Sequence, residues 1–341
     1  MAGPNVVPSH TGRSHIARAL KAQLRLPVVA APMFIVSGPQ MVIAQCQAGI
    51  LGSFPALNAR PKELLDDWLS EITETLAAYS AAHPDRPAAP FAVNQIVHRS
   101  NDRLEHDVEL CIKHKVPVVI TSLGARPEIN DAIHSYGGIV LHDVISITHA
   151  RKALEKGADG LIAVCAGAGG HAGTLSPFAL VQEIRQFFDG PLLLSGSIAN
   201  GRSVLAAEAM GADFAYCGSV FIATEEANAA PAYKQCLVDA VAEDIVYTNL
   251  FTGVPGNYLR QSIEAAGLDP KNLPSSDPSK MNFASGGNQA AKAWKDIWGC
   301  GQGIGVIEQI ETVGSVVDRM EREYRAARAR LLGERSALAA E

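Results

Sequence analysis

Eight short apolar runs, each separated from the next by a loop or a helical pattern, constrain the fold of this chain more than any other feature. They are PVVAAPM (27–33), GILGSF (49–54), FAVNQI (91–96), VPVVITSLG (116–124), IVLHDV (139–144), GLIAVCA (160–166), PLLLSGS (191–197) and FAYCGSVF (214–221). Nearly continuous apolar runs mark strands covered on both faces, as in a parallel sheet. The intervening segments are amphipathic. In PKELLDDWLSEITETLAAYS, the residues Leu64, Trp68, Ile72, Leu76 and Tyr79 recur at helical spacing, and Pro61 suits a first helical turn. Two helical segments finish in Gly-Ala-Asp, with Gly157 and Gly211 placed to stop the helix in a left-handed conformation. Alternating strands and helices with right-handed crossovers predict a (β/α)8 TIM barrel. An open doubly wound sheet is the rival, but the first run lacks a Gly-x-Gly-x-x-Gly turn.

The pattern changes after residue 224. Residues 225–303 read as an insertion or lid region, with the Pro/Ser-rich GLDPKNLPSSDPSK at 267–280, and residues 304–341 as a closing helix on the barrel of residues 1–224. With 48% hydrophobic and 19% charged residues, a large core is expected. The net charge of -6 argues against a nucleic-acid partner. The six cysteines are scattered, without metal-site spacing, and fit a reducing compartment. No signal core or membrane-length apolar stretch is read, so a cytoplasmic protein is expected, with no membrane partner and no metal. A homodimer is the assembly expected.

The chemistry-bearing residues fall at the ends of the runs, where barrels of this type build their sites. Gly196 with Ser197, and Gly218 with Ser219, end the seventh and eighth runs. Two Gly-Ser turns there suit a phosphate, although tight turns alone would explain them. After the sixth run stands CAGAGGHAG, in which Gly169, Gly170 and Gly173 flank His171. A bare backbone here serves either a sharp turn or a flat ligand, and an imidazole moves protons at neutral pH. Asn94 ends the third run with an amide that both donates and accepts, and Met33 ends the first. Ser122 and His142 are candidates for the pocket wall. His142 and Asp143 are adjacent on one strand, so they face opposite sides. Trp298 and Gln302, set among Gly299, Gly301 and Gly303, suggest a segment folded back over the mouth. A phosphate site, a glycine-flanked histidine and no metal cluster indicate a phosphorylated organic cofactor.

Assembled in this order, the residues resemble the nitronate monooxygenases, formerly called 2-nitropropane dioxygenases. The resemblance rests on AAPM (30–33), FAVN (91–94), AGAGGHAG (166–173), LSGSIANGR (194–202), YCGSVF (216–221) and WGCGQG (298–303). It implies an FMN-dependent barrel that oxidises alkyl nitronates, and nitroalkanes, with O2 to a carbonyl compound and nitrite. It implies His171 as catalytic base, with Asn94, Gly169, Ser197, Tyr216, Cys217, Gly218 and Ser219 holding FMN. The chain departs from the family pattern at Val164, where a Gln is common, at Ser197, where a second Gly is usual, and at Asp143, near which one subgroup has a Lys. Two other readings stay open. One is an NAD(P)H-dependent flavin reductase of quinones or enoyl thioesters on the same barrel. The other is a non-redox barrel that binds a phosphate ligand.

Overall fold

A computed structural model describes residues 13–276 and 296–333. Its core is an eight-stranded parallel sheet of β1 (Val28–Ala30), β2 (Gly52–Pro55), β3 (Phe91–Ile96), β4 (Val118–Ser122), β5 (Ile139–Val144), β6 (Gly160–Val164), β8 (Leu192–Ser195) and β9 (Phe214–Cys217). The strand order is β1-β9-β8-β6-β5-β4-β3-β2, and a parallel bridge between Val29 and Leu51 joins the two ends. The sheet is therefore a closed TIM barrel, as the apolar runs predict. Each run supplies a strand because both of its faces are covered, one by the barrel interior and the other by helices.

Alternation along the strands sorts the interior. Val29, Leu51, Ala92, Val118, Ile120, Leu141, Ile162, Leu193 and Phe214 fill the barrel. Helix α1 (Ser14–Lys21) brings Ala17 and Leu20 into this same cluster, so it belongs to the packing of the barrel core. Two residues further along the strands, the same inward face carries Asn94, Ser122, Asp143, Val164, Ser195 and Tyr216 at the carboxyl end. The inward layer thus changes from apolar to largely polar at the rim where a site is expected.

The helices follow the sequence pattern, with instructive shifts. Gly157 and Gly211 have φ of +97° and +102°, the left-handed stops expected at those positions. Helix α3 spans Leu64–Ala82, so Pro61 lies just ahead of its first turn rather than within it. The eighth run is strand only to Cys217, and its remainder forms the short helix α9 (Ser219–Ile222). The last helix spans Val313–Leu331, later than the sequence pattern suggests. Residues 302–306 form a 3-10 turn instead, and the Thr312 hydroxyl caps the helix by accepting from Ser315 N. Among the described residues, no helix is long and apolar enough to cross a membrane.

The segment after α9 is built onto the barrel. Strands β10 (Ile245–Thr248) and β11 (Gly256–Leu259) form a three-stranded antiparallel sheet whose third member is β7 (Gly170–His171), part of the loop after β6. The last helix packs against α8 (Gly201–Ala209), where Glu323 accepts from Gly201 N at 2.8 Å and Tyr324 donates to Glu208 at 2.5 Å. The fit is close enough that a Cβ on Gly201 would overlap the Met320 carbonyl oxygen and the Tyr324 amide nitrogen, both backbone atoms. Gly201→Ala should therefore destabilise the protein by about 3 kcal/mol, the upper range for overpacking. Urea unfolding of parent and variant checks this, and a change below about 0.5 kcal/mol, the size of an ordinary surface substitution, would refute the tight seam.

Candidate active site

A cavity of about 790 Å³ opens over the carboxyl end of the barrel. That volume is in the range of small-molecule and cofactor sites. Its walls are the loops after β1, β4, β6, β8 and β9, together with α6 (Ile147–Glu155) and parts of the segment after residue 225. Met33, Asn94, Ser122, His142, Gly169 and His171 all border it. So do Gly196, Ser197, Tyr216, Gly218, Ser219 and Trp298. Two of the residues singled out from sequence do not. Cys217 is fully buried among the helix-facing core residues, because strand alternation turns it away from Tyr216. Gln302 is exposed and stands beside Gly167 without lining the cavity.

The glycines around His171 have a structural occupant. A Cβ on Gly169 would stand 2.7 Å from Gly301 N and 2.8 Å from Cys300 C. A Cβ on Gly301 would stand 2.5 Å from Gly167 O, and one on Gly303 2.8 Å from Ser197 C. Backbone therefore lies directly on backbone between residues 167–169 and 300–303. Gln302 N donates to Gly167 O at 2.9 Å, and Gly301 N to Ser219 Oγ at 2.8 Å. Trp298, Gly299, Gly301 and Gly303 of this turn border the cavity. Trp298 stacks on Tyr233 with centroids 5.0 Å apart, and the Tyr233 hydroxyl donates to Gly299 O at 2.5 Å.

His171 is fixed by the small sheet. It pairs with Gly256 of β11, while Asn257 Nδ2 donates to Ala168 O at 2.6 Å and Tyr247 OH to Ala172 O at 3.0 Å. Its Nε2 lies 2.9 Å from Thr252 Oγ1, and that hydroxyl donates to Val254 O at 3.0 Å. With its own hydrogen given to Val254 O, the Thr252 oxygen is placed to accept from a ring N–H at Nε2. Burial pushes the imidazole down to about 4, which keeps it neutral at pH 7. Sequence reading missed Thr252 because it lies far along the chain, in a loop of no recognisable pattern.

A second polar group stands on the inward layer. Asn94 Nδ2 donates to Ser122 Oγ at 2.8 Å and to Ile120 O at 3.1 Å. Ser122 and the backbone of Leu123, itself at φ +64°, hydrogen-bond the Asp143 carboxyl. Burial nevertheless pushes that carboxyl up to about 6, outweighing those bonds. Asp143, not His142, is the β5 residue that faces the barrel interior. His142 faces the helix layer, with Nδ1 2.6 Å from Thr121 Oγ1. The signal was present in sequence, since Asp143 is in phase with Ile139 and Leu141.

The ends of β8 and β9 offer donors. Gly196 and Ser197 take φ of +139° and +57°. Among the described residues, the backbone N–H groups of Ser197, Gly218 and Ser219, left over where the parallel ladder ends, have no hydrogen-bond partner. A Cβ on Gly218 would meet only Ala31 Cβ at 3.5 Å and Met33 Sδ at 3.7 Å, both at the cavity wall. Gly218 is thus a cradle that a larger side chain would fill. Donors without partners beside an open cavity fit an anionic group such as a phosphate.

The nitronate monooxygenase family model matches residues 17–323. A nitronate monooxygenase of Paraburkholderia phytofirmans is 28% identical over 316 residues, covering 78% of this chain and 82% of that protein. A protein of Rhodococcus jostii, named as a 5-hydroxy-7a-methyl-1-oxo-octahydro-1H-indene-4-carboxyl-CoA dehydrogenase, is 26% identical over 237 residues, 70% of this chain and 63% of that protein. Among solved structures, FabK from Thermotoga maritima superposes with a TM-score of 0.75 at 25% identity, covering 95% of this chain and 99% of that one. The chain spans less than two thirds of the length of several curated relatives it matches, 61%, 63% and 64% in three cases.

Two outcomes follow from this geometry. Gly169→Ala should displace the 298–303 turn, because its Cβ meets backbone atoms that cannot rotate away. Trp298 fluorescence and the proteolytic susceptibility of that turn should both change while far-UV circular dichroism does not, and an unchanged turn would refute the contact. The second concerns acid. With His171 held down to about 4 from 6.5, the folded chain binds fewer protons than the unfolded one between those values. Its contribution to stability is present above about 6.5 and is lost as pH falls through about 4. His142, also pushed down to about 4, acts in the same sense, and Asp143, pushed up to about 6, in the opposite one. Subtracting the stability profile of His171→Asn from the parent isolates the His171 share, which should decline from pH 6.5 to 4. A flat difference would show that the ring is not held neutral.

Proposed function

The chain belongs to the nitronate monooxygenase family, and from that premise we propose that it is an FMN-dependent oxidoreductase that oxidises small nitro compounds. The substrate is an alkyl nitronate or its parent nitroalkane, and the products are a carbonyl compound and nitrite, with O2 as oxidant. The observation that carries this reading is one shared cavity. The partnerless donors of Ser197, Gly218 and Ser219 lie on one wall, and His171 lies on another. FMN suits this wall better than a dinucleotide, because the sequence shows no second nucleotide-binding fingerprint.

Ser197, Gly218 and Ser219 hold the phosphate through backbone N–H groups, and the Ser219 hydroxyl keeps its own hydrogen for the same purpose while accepting from Gly301 N. Met33, Asn94 and Tyr216 line the adjacent space. When bound, FMN supplies the one-electron and O2 chemistry that side chains lack. The His171 imidazole accepts the α-proton of a neutral nitroalkane, and the Thr252 contact orients the ring that receives it. Trp298 and the turn it belongs to keep water from one side of the mouth.

One observation favours a second reading. Asp143 presents a carboxyl to the cavity, an uncongenial neighbour for an anionic nitronate, and one relative is named as a CoA-ester dehydrogenase. On that reading the enzyme is a flavin reductase of quinones or enoyl thioesters fed by NAD(P)H. Anaerobic mixing with NADH should bleach the flavin rapidly only in this case.

The absorbance spectrum of the purified protein tests the common part. A colourless protein that gains no flavin spectrum with added FMN would favour the non-redox phosphate-binding barrel. Gly218→Val should yield folded protein with little or no flavin, and full flavin content would place the phosphate elsewhere. General-base assistance is typically worth about 10²–10⁴-fold. His171→Asn should lose roughly that factor in kcat/KM with a neutral nitroalkane and much less with the preformed nitronate, at unchanged flavin content. Equal losses on both would make His171 a stabiliser of the nitronate, and no loss on either would remove it from the site.

A further inference from the structure

The cavity continues past the barrel mouth into a crevice between the Ser122–Ala125 loop, which leads into helix α5 (Pro127–His134), and helix α6. His142 is at its floor, and His149, Lys152 and Lys156 line it along α6. Spacings of three and four residues put these three side chains on one helix face. His142 is only 7% exposed, yet it reaches this crevice. Its Nδ1 is taken by the Thr121 hydroxyl at 2.6 Å, and its Nε2 has no partner among the described residues. The Thr121 hydroxyl also lies 3.4 Å from Leu141 O; when its hydrogen is given to the ring at Nδ1, the ring carries its own at Nε2.

The rest of the crevice is also made of donors. Lys156 Nζ gives one hydrogen to Ala125 O at 2.7 Å and keeps two. Lys152 Nζ has no ion pair or hydrogen bond among the described residues, whereas Lys21 and Lys113 are each paired with a carboxylate. His149 Nδ1 contacts Ser146 Oγ at 2.7 Å, leaving Nε2 outward. Asp143 is the only carboxylate among the described residues that line the cavity, and it stands on the opposite face of β5. In a chain of net charge -6, the two ammonium groups give this crevice a local positive field, offset in part by the Glu128 carboxyl, which interacts with Lys156. The same field contributes, after burial, to the low pKa of His142.

We propose that the crevice between the Ser122–Ala125 loop and α6 is a second binding site, for a phosphate group, with the His142 ring as its buried hydrogen-bonding group and Lys152 and Lys156 as its charges. A phosphate suits it because two imidazoles and two ammonium groups line the same crevice, and a dianion gains from two ammonium groups. The site is distinct from the flavin phosphate seat at β8 and β9, and it stands whether or not the flavin reading does. The phosphate belongs either to the tail of a ligand whose other end lies at the barrel mouth, or to a free ion.

The test uses the full chain, loaded with flavin and then as the flavin-free Gly218→Val variant, with inorganic phosphate as probe. The imidazole resonances of His142, assigned with His142→Gln, should move on titration with phosphate, and the ring's apparent pKa should rise. In Lys152→Met/Lys156→Met, exposed substitutions that spare the core, phosphate affinity should fall by more than about fivefold, the least expected from two solvent-exposed charges. An alkyl phosphate that binds tighter than inorganic phosphate indicates the ligand tail, and equal affinities indicate the free ion. No phosphate-dependent shift of His142 in either form, or an equal response in the double lysine variant, would overturn the proposal. So would loss of the response on flavin loading alone, since the crevice would then belong to the flavin's own phosphate.

Discussion

Much of the site depends on one contact, the backbone of residues 167–169 lying against the backbone of residues 300–303. Neither side tolerates a Cβ at Gly169 or Gly301, so the two segments approach closer than side chains permit, and a Cβ at Gly303 would meet the Ser197 backbone beside them. Around this seam the donors are used in pairs. Gly301 N reaches Ser219, Gln302 N reaches Gly167, and Asn257 reaches Ala168. The loop that carries His171, the helix start that carries Ser219 and the turn that carries Trp298 are thereby tied at one place. A barrel supplies a ring of independent loops; this seam joins three regions of that ring.

The seam also answers what glycines do around an ionisable ring. Sequence alone allows two explanations, a sharp turn or a flat ligand. The structure adds a third, a second stretch of backbone, contributed from more than a hundred residues away. Gly167 and Gly170 do take left-handed φ values of +83° and +64°, so a turn is part of it. The chain spacing between AGAGGHAG and WGCGQG hides their contact, because nothing in either string names the other. Their shared richness in glycine is the trace it leaves.

Other features were legible to different depths, for physical reasons. The eight strands showed in the sequence because each is buried on both faces, which demands an apolar run. The rim positions followed, since a barrel places its site at the strand ends. The strand β7 left no sign, being two residues long and paired with β11, more than eighty residues later. At His142 and Asp143 the rule of alternation was sound, but it leaves open which of the two faces inward. Counting back through Leu141 and Ile139 to the barrel cluster decides for Asp143. Cys217 fell the other way by the same count, one residue out of phase with the inward Tyr216. The start of the last helix slipped because Gly303 and Gly305 lie in a 3-10 turn that continues the apolar pattern without being α-helix.

The two titratable groups of the barrel mouth are pushed apart by the same cause. Burial disfavours charge on each, so it lowers the imidazole of His171 to about 4 and raises the carboxyl of Asp143 to about 6. Hydrogen bonds then act unequally. Asp143 is given Ser122 and the Leu123 backbone, which favour its anion and limit the rise, while the Thr252 contact orients the ring of His171. The result is an uncharged imidazole on the insertion side and a carboxyl with a raised pKa on the β5 side. On the proposed reading, a carbon acid entering neutral meets no repulsion from the first and would give its proton to it. An anion entering already formed would meet the second, and would take its place more easily when that carboxyl is protonated. On that reading the departure from the family pattern at Asp143 would act on the charge of the ligand, through a residue that the fold turns into the cavity by a single step of strand alternation.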